Sequence, residues 1–138
     1  MVLTPSGYLL DTNVVSELMK ARPSRRVAEW VGATPEELIY LSVMTIGEIR
    51  KGIELLAENE PRRLALQSWL DRDLRIRFAG RLLAFDEGVA ERWGQLEALA
   101  KRQRLTLPTL DAQLAATALH HGLNTGIPVF NPWSEPAR

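Results

Sequence analysis

The amino-acid sequence predicts an α/β fold of three layers, in which helices cover both faces of a short, central parallel sheet. Short apolar runs, which are typical of buried strands, alternate along the chain with longer segments whose apolar residues recur at helical spacing. The 138 residues are 46% hydrophobic and 25% charged, as in a globular protein with a sizeable core. We find no repeat, low-complexity tract or linker, and therefore predict a single domain over residues 1–138.

The N-terminal half of the chain is predicted to contain two strands, each followed by two helices. Apolar residues are contiguous in each strand and recur every three or four positions in each helix. A proline or a small polar residue stands near the start of each helix, where it can open or cap the first turn. The predicted elements are a strand at Tyr8–Leu10, a helix at Val14–Lys20 capped by Thr12 or Asn13, a helix starting at Pro23, a strand at Leu38–Ser42, and helices starting at Thr45 and Pro61.

The C-terminal half is predicted to contain two strands and two helices. Leu82–Phe85 form the third strand, and Asp86 follows as the cap of a long helix. The last helix covers Thr109–His121 and stops at Gly122, because glycine readily adopts the left-handed conformation that ends a helix. A final strand is predicted at Ile127–Phe130.

Charge and cysteine content exclude several classes of protein. The formal net charge is zero, so any attraction to nucleic acid has to come from local clusters or from a metal ion. The absence of cysteine excludes a disulfide framework and thiolate metal sites. The sequence has no evident signal peptide and no apolar stretch of transmembrane length, so we expect a cytoplasmic protein with no membrane partner.

Three acidic residues follow apolar runs or open a helix. Asp11 ends the first apolar run, Glu48 follows the second, and Asp111 stands in the first turn of the last predicted helix. Parallel sheets bind ligands at the carboxyl ends of their strands, so we expect these carboxylates to converge at one edge. Converging carboxylates repel one another unless a cation lies between them. The pattern predicts a Mg²⁺ site for phosphodiester chemistry.

Each acid also has a structural interpretation. Asp11 can serve as a turn residue or a helix cap, and Asp111 can stabilise a helix through its dipole. Thr45 and Glu48 match a capping box, in which the glutamate bonds the backbone of the capping residue. We interpret Asp86, which also lies between a strand and a helix, as a plain cap without a catalytic role.

Basic and imidazole side chains suggest further roles. Arg50 and Lys51 come just after Glu48 and are candidates for contacts to an RNA backbone. His120 and His121 stand near the end of the last predicted helix, and a catalytic pair acting on RNA is the less favoured interpretation of them.

The tripeptide at Asp11 differs from the Asp-x-Asp signature of haloacid-dehalogenase-type phosphatases, because its third residue is Asn13.

Taken together, these segments resemble the PIN-domain toxins of the VapC/FitB type, from bacterial type II toxin–antitoxin systems. No single segment is specific, but their order and separation along nearly the whole chain are. The blocks that carry the resemblance are Leu9–Leu18, Leu41–Ile53, Leu110–Leu123 and Asn131–Trp133.

The resemblance implies a PIN-like fold and a ribonuclease that depends on Mg²⁺ or Mn²⁺. Asp11, Glu48 and Asp111 match the family's metal-site acids, which are also its catalytic residues. Asn13 and Thr45 match supporting polar positions beside that site. The implied partners are an RNA substrate, a cognate antitoxin that inhibits the enzyme, and a second copy of the chain in a homodimer.

The chain departs from the family pattern after the third block. The family continues with a strand beside the first one, then a turn and a fourth acid, whereas here Asn124 and Thr125 run directly into Ile127–Phe130. A strand with its loop, about ten residues on typical lengths, is predicted to be missing. The alternative function is therefore a catalytically impaired PIN-like module that binds RNA or antitoxin.

Overall fold

A computed structural model describes residues 7–125, which form a four-stranded parallel sheet in the order β3-β2-β1-β4. β1 pairs with β2 through Tyr8–Ile39 and with β4 through Tyr8–Asn124. The sheet positions β1 at its centre, so side chains that follow β1 lie mid-sheet at the carboxyl edge. The strands are β1 (Tyr8–Leu9), β2 (Ile39–Ser42), β3 (Leu82–Leu83) and β4 (Asn124–Thr125).

In the described part of the chain, seven α-helices connect and cover the strands. A 3₁₀ turn precedes β2, and one π turn lies between α4 and α5. Within residues 7–125, no helix has both the length and the apolar character needed to cross a bilayer. The helices are α1 (Thr12–Leu18), α2 (Arg25–Ala33), α3 (Val43–Glu54), α4 (Arg63–Ser68), α5 (Leu74–Arg77), α6 (Glu87–Arg102) and α7 (Thr109–His121); the turns are Glu36–Leu38 and Trp69–Asp73.

Alternate residues of the strands point into two separate cores, because side chains along a strand alternate between its faces. On one face, Leu10 and Ile39 belong to a large cluster with residues of α1, α2, α3 and α5. On the other face, Leu9 packs with Leu114 and Ala118 of α7. Helices thus cover both faces of the sheet, which confirms the predicted α/β layering.

Four predicted helix starts are wrong by two residues. α2 begins at Arg25 rather than Pro23, and α4 at Arg63 rather than Pro61. The other two, α1 and α3, begin earlier than predicted. α1 begins at Thr12 and is capped by Asp11, so Thr12 and Asn13 lie inside the first turn. α3 begins at Val43 and is capped by Ser42, whose hydroxyl accepts a hydrogen bond from the Met44 amide at 3.0 Å. A capping side chain closer to the strand was available in both cases, and the chain turns into the helix as soon as the strand ends.

The predicted ends of the helices in the C-terminal half are confirmed, whereas one strand there was not predicted. Asp86 caps α6 by accepting a hydrogen bond from the Val89 amide at 3.1 Å, as predicted. Gly122 ends α7 in the left-handed conformation with φ 69°, also as predicted. A strand at Asn124–Thr125 was not predicted. It follows α7 and pairs with β1, so the prediction that the family's strand beside the first one is missing is wrong. The predicted strand at Ile127–Phe130 and the Asn131–Trp133 ending lie outside the described residues.

Gly7 is expected to be intolerant of any side chain. A Cβ at this position would lie 2.5 Å from the carbonyl oxygen of Leu38, and the Gly7 carbonyl accepts a hydrogen bond from Asn124. Both neighbours are backbone and cannot rotate away. We expect Gly7→Ala to lower the free energy of unfolding by about 1–3 kcal/mol. Chemical denaturation would measure this, with Gly32→Ala, which meets nothing within 4 Å, as the control; equal effects would contradict it.

Glu17 is expected to make stability sensitive to acid. Its buried carboxylate forms an ion pair with Lys20 at 3.0 Å and accepts a hydrogen bond from the Ser24 amide at 2.7 Å. The hydrogen bond from Lys20 has the largest effect and that from Ser24 the next, and together they lower the pKa of the Glu17 carboxyl below its ordinary value of 4.5. The stabilisation is therefore present above the ordinary pKa and is lost as the pH falls through the lowered one.

We expect Glu17→Gln to unfold at a lower temperature than the parent protein at pH 7. The two melting temperatures should converge at a pH below the lowered pKa of Glu17, where the parent carboxyl is also neutral. Thermal unfolding between pH 3 and pH 7 would measure this, and a difference that does not change with pH would contradict the assignment.

Candidate functional site

Asp11 lies at the carboxyl end of β1, at the centre of the sheet. As the cap of α1 its Oδ1 accepts a hydrogen bond from the Asn13 amide at 3.1 Å. The residue is only 6% exposed. The capping geometry therefore fixes a nearly buried carboxylate where β1 meets α1.

Asp111 brings a second negative charge to Asp11. It lies in the first turn of α7, which packs on the face of β1 that Leu9 contacts. Burial raises the pKa of the Asp11 carboxyl, the Asn13 amide lowers it, and the charge of Asp111 raises it again. Within residues 7–125, neither carboxylate has a basic side chain within salt-bridge distance. The pair is thus an electrostatically unfavourable arrangement that a cation would relieve.

Glu48 lies in α3 and has no capping role, because Ser42 caps this helix. The capping-box interpretation is therefore wrong. Its side chain is 40% exposed, and its only ion pair in the described chain is a long one of 3.9 Å with Lys51. It borders an apolar groove between α1, α3 and α4 that includes Ser16, Met19 and Ile53. In the described chain, the Glu48 carboxylate thus neither caps α3 nor forms a short ion pair.

Thr45 supports the site from a buried position. Its hydroxyl is hydrogen-bonded to that of Thr12 at 3.1 Å, so it ties the first turn of α3 to the first turn of α1. Asn13 is exposed, and its backbone amide rather than its side chain contacts Asp11. Sequence reasoning missed Thr12 as a site residue, since a threonine after a helix cap carries no signal of a partner 33 residues away.

The two residues predicted to bind RNA point in different directions. Positions two apart on a helix are rotated by about 200°, so Arg50 faces away from Glu48. It forms an ion pair with Asp71 in the π turn. Lys51, one turn beyond Glu48, stays on the Glu48 side of α3. Lys51 thus remains beside the predicted site, whereas Arg50 connects α3 to the π turn.

The histidine pair lies at the opposite end of α7 from Asp111. Nine residues of helix separate His120 from Asp111, which corresponds to about 13.5 Å along the axis. The His120 ring lies against the first turn of α6, since a Cβ at Gly88 would clash with its Cε1. This placement does not support the interpretation of His120 and His121 as a catalytic pair.

The carboxylates of Asp11 and Asp111 are the donor groups that could hold a divalent cation. Within residues 7–125, no group of three or more His, Cys, Asp or Glu side chains is close enough to hold a metal ion. Asp11 and Asp111 nevertheless supply two carboxylates that are close enough for the charge of Asp111 to raise the pKa of Asp11. Mg²⁺ is commonly bound through one or two carboxylates and keeps several waters, so this pair fits it. Glu48 does not join them in a direct three-carboxylate cluster.

The chain is similar to known proteins in both sequence and structure. The model of the PIN domain family matches residues 8–125. Toxin FitB of Neisseria gonorrhoeae is 38% identical, with 92% of this chain and 99% of that protein covered. VapC ribonuclease Y4jK of Sinorhizobium fredii is 36% identical, with 94% of this chain and 99% of that protein covered.

A solved structure shows the same similarity. The crystal structure of FitAcB from Neisseria gonorrhoeae contains a chain that matches with a TM-score of 0.83 and 36% identity. The match covers 93% of this chain and 99% of that one. Both the sequence and the fold are therefore shared over nearly the whole length of these relatives.

The sequence alignments also reveal a deficit in this chain. The alignment with Toxin FitB spans 138 positions, but 92% of this 138-residue chain is about 127 residues, so about eleven positions have no counterpart here. The same comparison with Y4jK, 140 positions against 94% of the chain, leaves about ten. About as many residues of this chain lie outside each alignment, so the chain and these relatives are nearly equal in total length, and the unmatched positions fall within the aligned region.

Proposed function

This chain belongs to the PIN-domain family and is a toxin of the VapC/FitB type, from type II toxin–antitoxin systems, and we propose that it is a Mg²⁺- or Mn²⁺-dependent endoribonuclease. The observation that carries the proposal is the buried Asp11 carboxylate beside Asp111, with no cation from the described chain to balance either charge. Two interacting carboxylates, one of them buried, destabilise the folded state unless a bound cation offsets their repulsion.

The site residues have separate tasks in this mechanism. Asp11 would be the central ligand of the cation, and Asp111 and Glu48 would help to hold it, directly or through water. When bound, the ion supplies Lewis acidity to the phosphate and neutralises charge that develops there. The Thr12–Thr45 hydrogen bond keeps the first turns of α1 and α3 in fixed relation, and so sets the distance between Asp11 and Glu48.

The proposed reaction is in-line hydrolysis of a phosphodiester. The oxygen of a water molecule forms a bond to phosphorus, and the bond between phosphorus and the 3′ oxygen breaks. The leaving oxygen takes a proton and the attacking water loses one, so the products carry a 5′-phosphate and a 3′-hydroxyl. A 2′,3′-cyclic phosphate product would contradict this scheme.

The remaining partners follow from the family. We propose a cognate antitoxin as the inhibitor, a homodimer as the working state, and the cytoplasm as the compartment. We also propose that residues 1–138 form a single PIN-like domain.

An impaired binding module is the second candidate, and two observations favour it. The described residues contain no three-acid cluster, and about ten aligned positions of two relatives have no counterpart in this chain. We infer that the positions without a counterpart lie after α7, where the family's fourth acid is expected. In this alternative the protein binds RNA or antitoxin without cleaving RNA.

Cleavage of an RNA pool by the purified, antitoxin-free protein distinguishes the two candidates. A mixture of transfer and ribosomal RNA would be incubated with Mg²⁺, with Mn²⁺ and with EDTA, and the product ends mapped. The nuclease proposal predicts cleavage with either ion, none with EDTA, and 5′-phosphate ends. Absence of cleavage by a folded protein that binds antitoxin would overturn it in favour of the binding module.

A further inference from the structure

The connection between α6 and α7 carries a cluster of basic side chains immediately before Asp111. Lys101, Arg102 and Arg104 are all exposed, and we call residues 101–107 the basic turn. In the described part of the chain, none of these three side chains forms an ion pair or a hydrogen bond. By contrast, Arg50 and Lys51 both have acidic partners. The basic turn therefore presents three positive charges without internal neutralisation.

The backbone of the basic turn is held in a conformation that favours glycine. Arg104 has φ 58°, and it is the one non-glycine residue among those described with a positive φ. The Leu105 amide donates to the Ala100 carbonyl at 2.8 Å and the Arg104 amide to Lys101 at 3.1 Å, which closes the end of α6. Glycine usually takes this position because it lacks a Cβ. An arginine here adds a charge at a cost in backbone strain.

The basic turn is joined to the candidate metal site by a short stretch of chain. Asp111 lies in the first turn of α7, seven positions after Arg104, and α7 packs against Leu9 of β1. The seven residues from Arg104 to Asp111 span at most about 25 Å even when fully extended. With phosphates about 3.4 Å apart along a stacked strand, roughly seven nucleotides cover that distance.

A groove beside Lys101 adds an apolar surface to these charges. It has a volume of about 520 Å³ and is lined by Trp93, Glu97 and Leu105 among others, and Leu105 is 61% exposed. Single-stranded nucleic acid is generally bound by basic side chains along its backbone and by aromatic or apolar surfaces under its bases. The groove and the basic turn together have that character.

We propose that the basic turn binds the sugar–phosphate backbone of the single-stranded RNA substrate next to the cleavage site, an inference that rests on the proposed ribonuclease function. Phosphate fits better than an acidic peptide because the three cations are uninterrupted in sequence by an acid and adjoin a site suited to phosphodiesters. An acidic segment of a protein partner is the alternative occupant.

The test measures RNA binding in EDTA, where no cleavage is required. Anisotropy of a fluorescein-labelled single-stranded RNA of about 20 nucleotides would be recorded between about 50 and 250 mM KCl. The test variant is Lys101→Gln/Arg102→Gln/Arg104→Gln. The matched control, Arg22→Gln/Arg72→Gln/Arg92→Gln, removes the same charge from exposed residues elsewhere that have no ion pair in the described chain.

Loss of three phosphate contacts should weaken binding about tenfold or more at low salt. It should also reduce the slope of log K against log [KCl] by about 2, at roughly 0.7 per contact with a single strand. The control should keep the parent slope. An unchanged slope in the test variant, or loss of antitoxin binding in place of RNA binding, would overturn the inference.

Arg104→Gly distinguishes the effect of the Arg104 charge on RNA binding from its effect on stability. Glycine relieves the backbone strain, so this variant should melt at a higher temperature while its salt slope falls by about 0.7. A higher melting temperature with an unchanged slope would overturn the role of Arg104. Parent protein that binds RNA through the basic turn but cleaves nothing would refute the ribonuclease proposal and leave this inference standing.

Discussion

Asp11→Asn is expected to abolish RNA cleavage while the fold is retained, with a loss of roughly a thousandfold or more. Asparagine keeps the oxygen that accepts the Asn13 amide, so the cap of α1 is preserved. It removes one of the two charges that attract a divalent cation. Metal ions supply several kcal/mol to transition states of this kind, and about 4 kcal/mol is a thousandfold in rate.

The same variant is expected to be more stable than the parent when divalent cations are removed. Burial and the charge of Asp111 raise the pKa of Asp11 above 3.8, so the folded state disfavours the ionised form. The parent therefore loses stability as the pH rises through that raised pKa, and Asp11→Asn does not. The advantage of the variant should be greatest at neutral pH and should vanish in acid.

Asp86→Asn is the matched control for both effects. Asp86 also follows a strand and caps a helix, but its side chain is exposed, whereas Asp11 is buried. Asp86→Asn should leave the cleavage rate unchanged, and it should not be more stable than the parent protein at neutral pH. Retained cation-dependent cleavage in Asp11→Asn, measured with both proteins shown to be folded, would contradict the role of Asp11.

Glu48→Gln is the second substitution with a large expected effect, a loss of roughly a hundredfold in cleavage rate. The structure assigns the capping of α3 to Ser42, so the neutral Gln should not destabilise the helix. The loss therefore isolates the negative charge at the site. Rates would be measured at saturating Mg²⁺ and again at low Mg²⁺, where a cation-holding role predicts the larger deficit.

Ser42→Ala provides the opposite pattern as a control. It removes the cap hydroxyl and should lower the free energy of unfolding by about 1 kcal/mol, with cleavage unchanged where the protein is folded. A Glu48→Gln variant that is destabilised to the same extent as Ser42→Ala, with full activity, would return Glu48 to a structural role.

The layering of the fold could be predicted because buried strands and amphipathic helices leave distinct periodicities. The run Leu38–Ser42 and the long helix after Asp86 are clear examples. β4 could not be predicted in this way, since Asn124 and Thr125 are polar and short. Their strand arises from backbone pairing with β1, including the bond from the Asn124 amide to the Gly7 carbonyl.

The acids of the site could be predicted, but their surroundings could not. Apolar runs place Asp11 at a strand end without any knowledge of packing. The hydroxyl pair of Thr12 and Thr45, and the turning of Arg50 toward Asp71, depend on which helix faces meet in three dimensions. Helix starts were misplaced for a local reason: Asp11 and Ser42 both compete with later residues for the cap, and sequence alone ranks them equally.

The central claim is that Asp11 and Asp111 hold a divalent cation, and a titration with Mn²⁺ followed by electron paramagnetic resonance tests it most directly. The account predicts saturable binding by the antitoxin-free protein, displaced by excess Mg²⁺, lost in Asp11→Asn and retained in Asp86→Asn. Absence of saturable binding, or equal binding by the parent and Asp11→Asn, would contradict it.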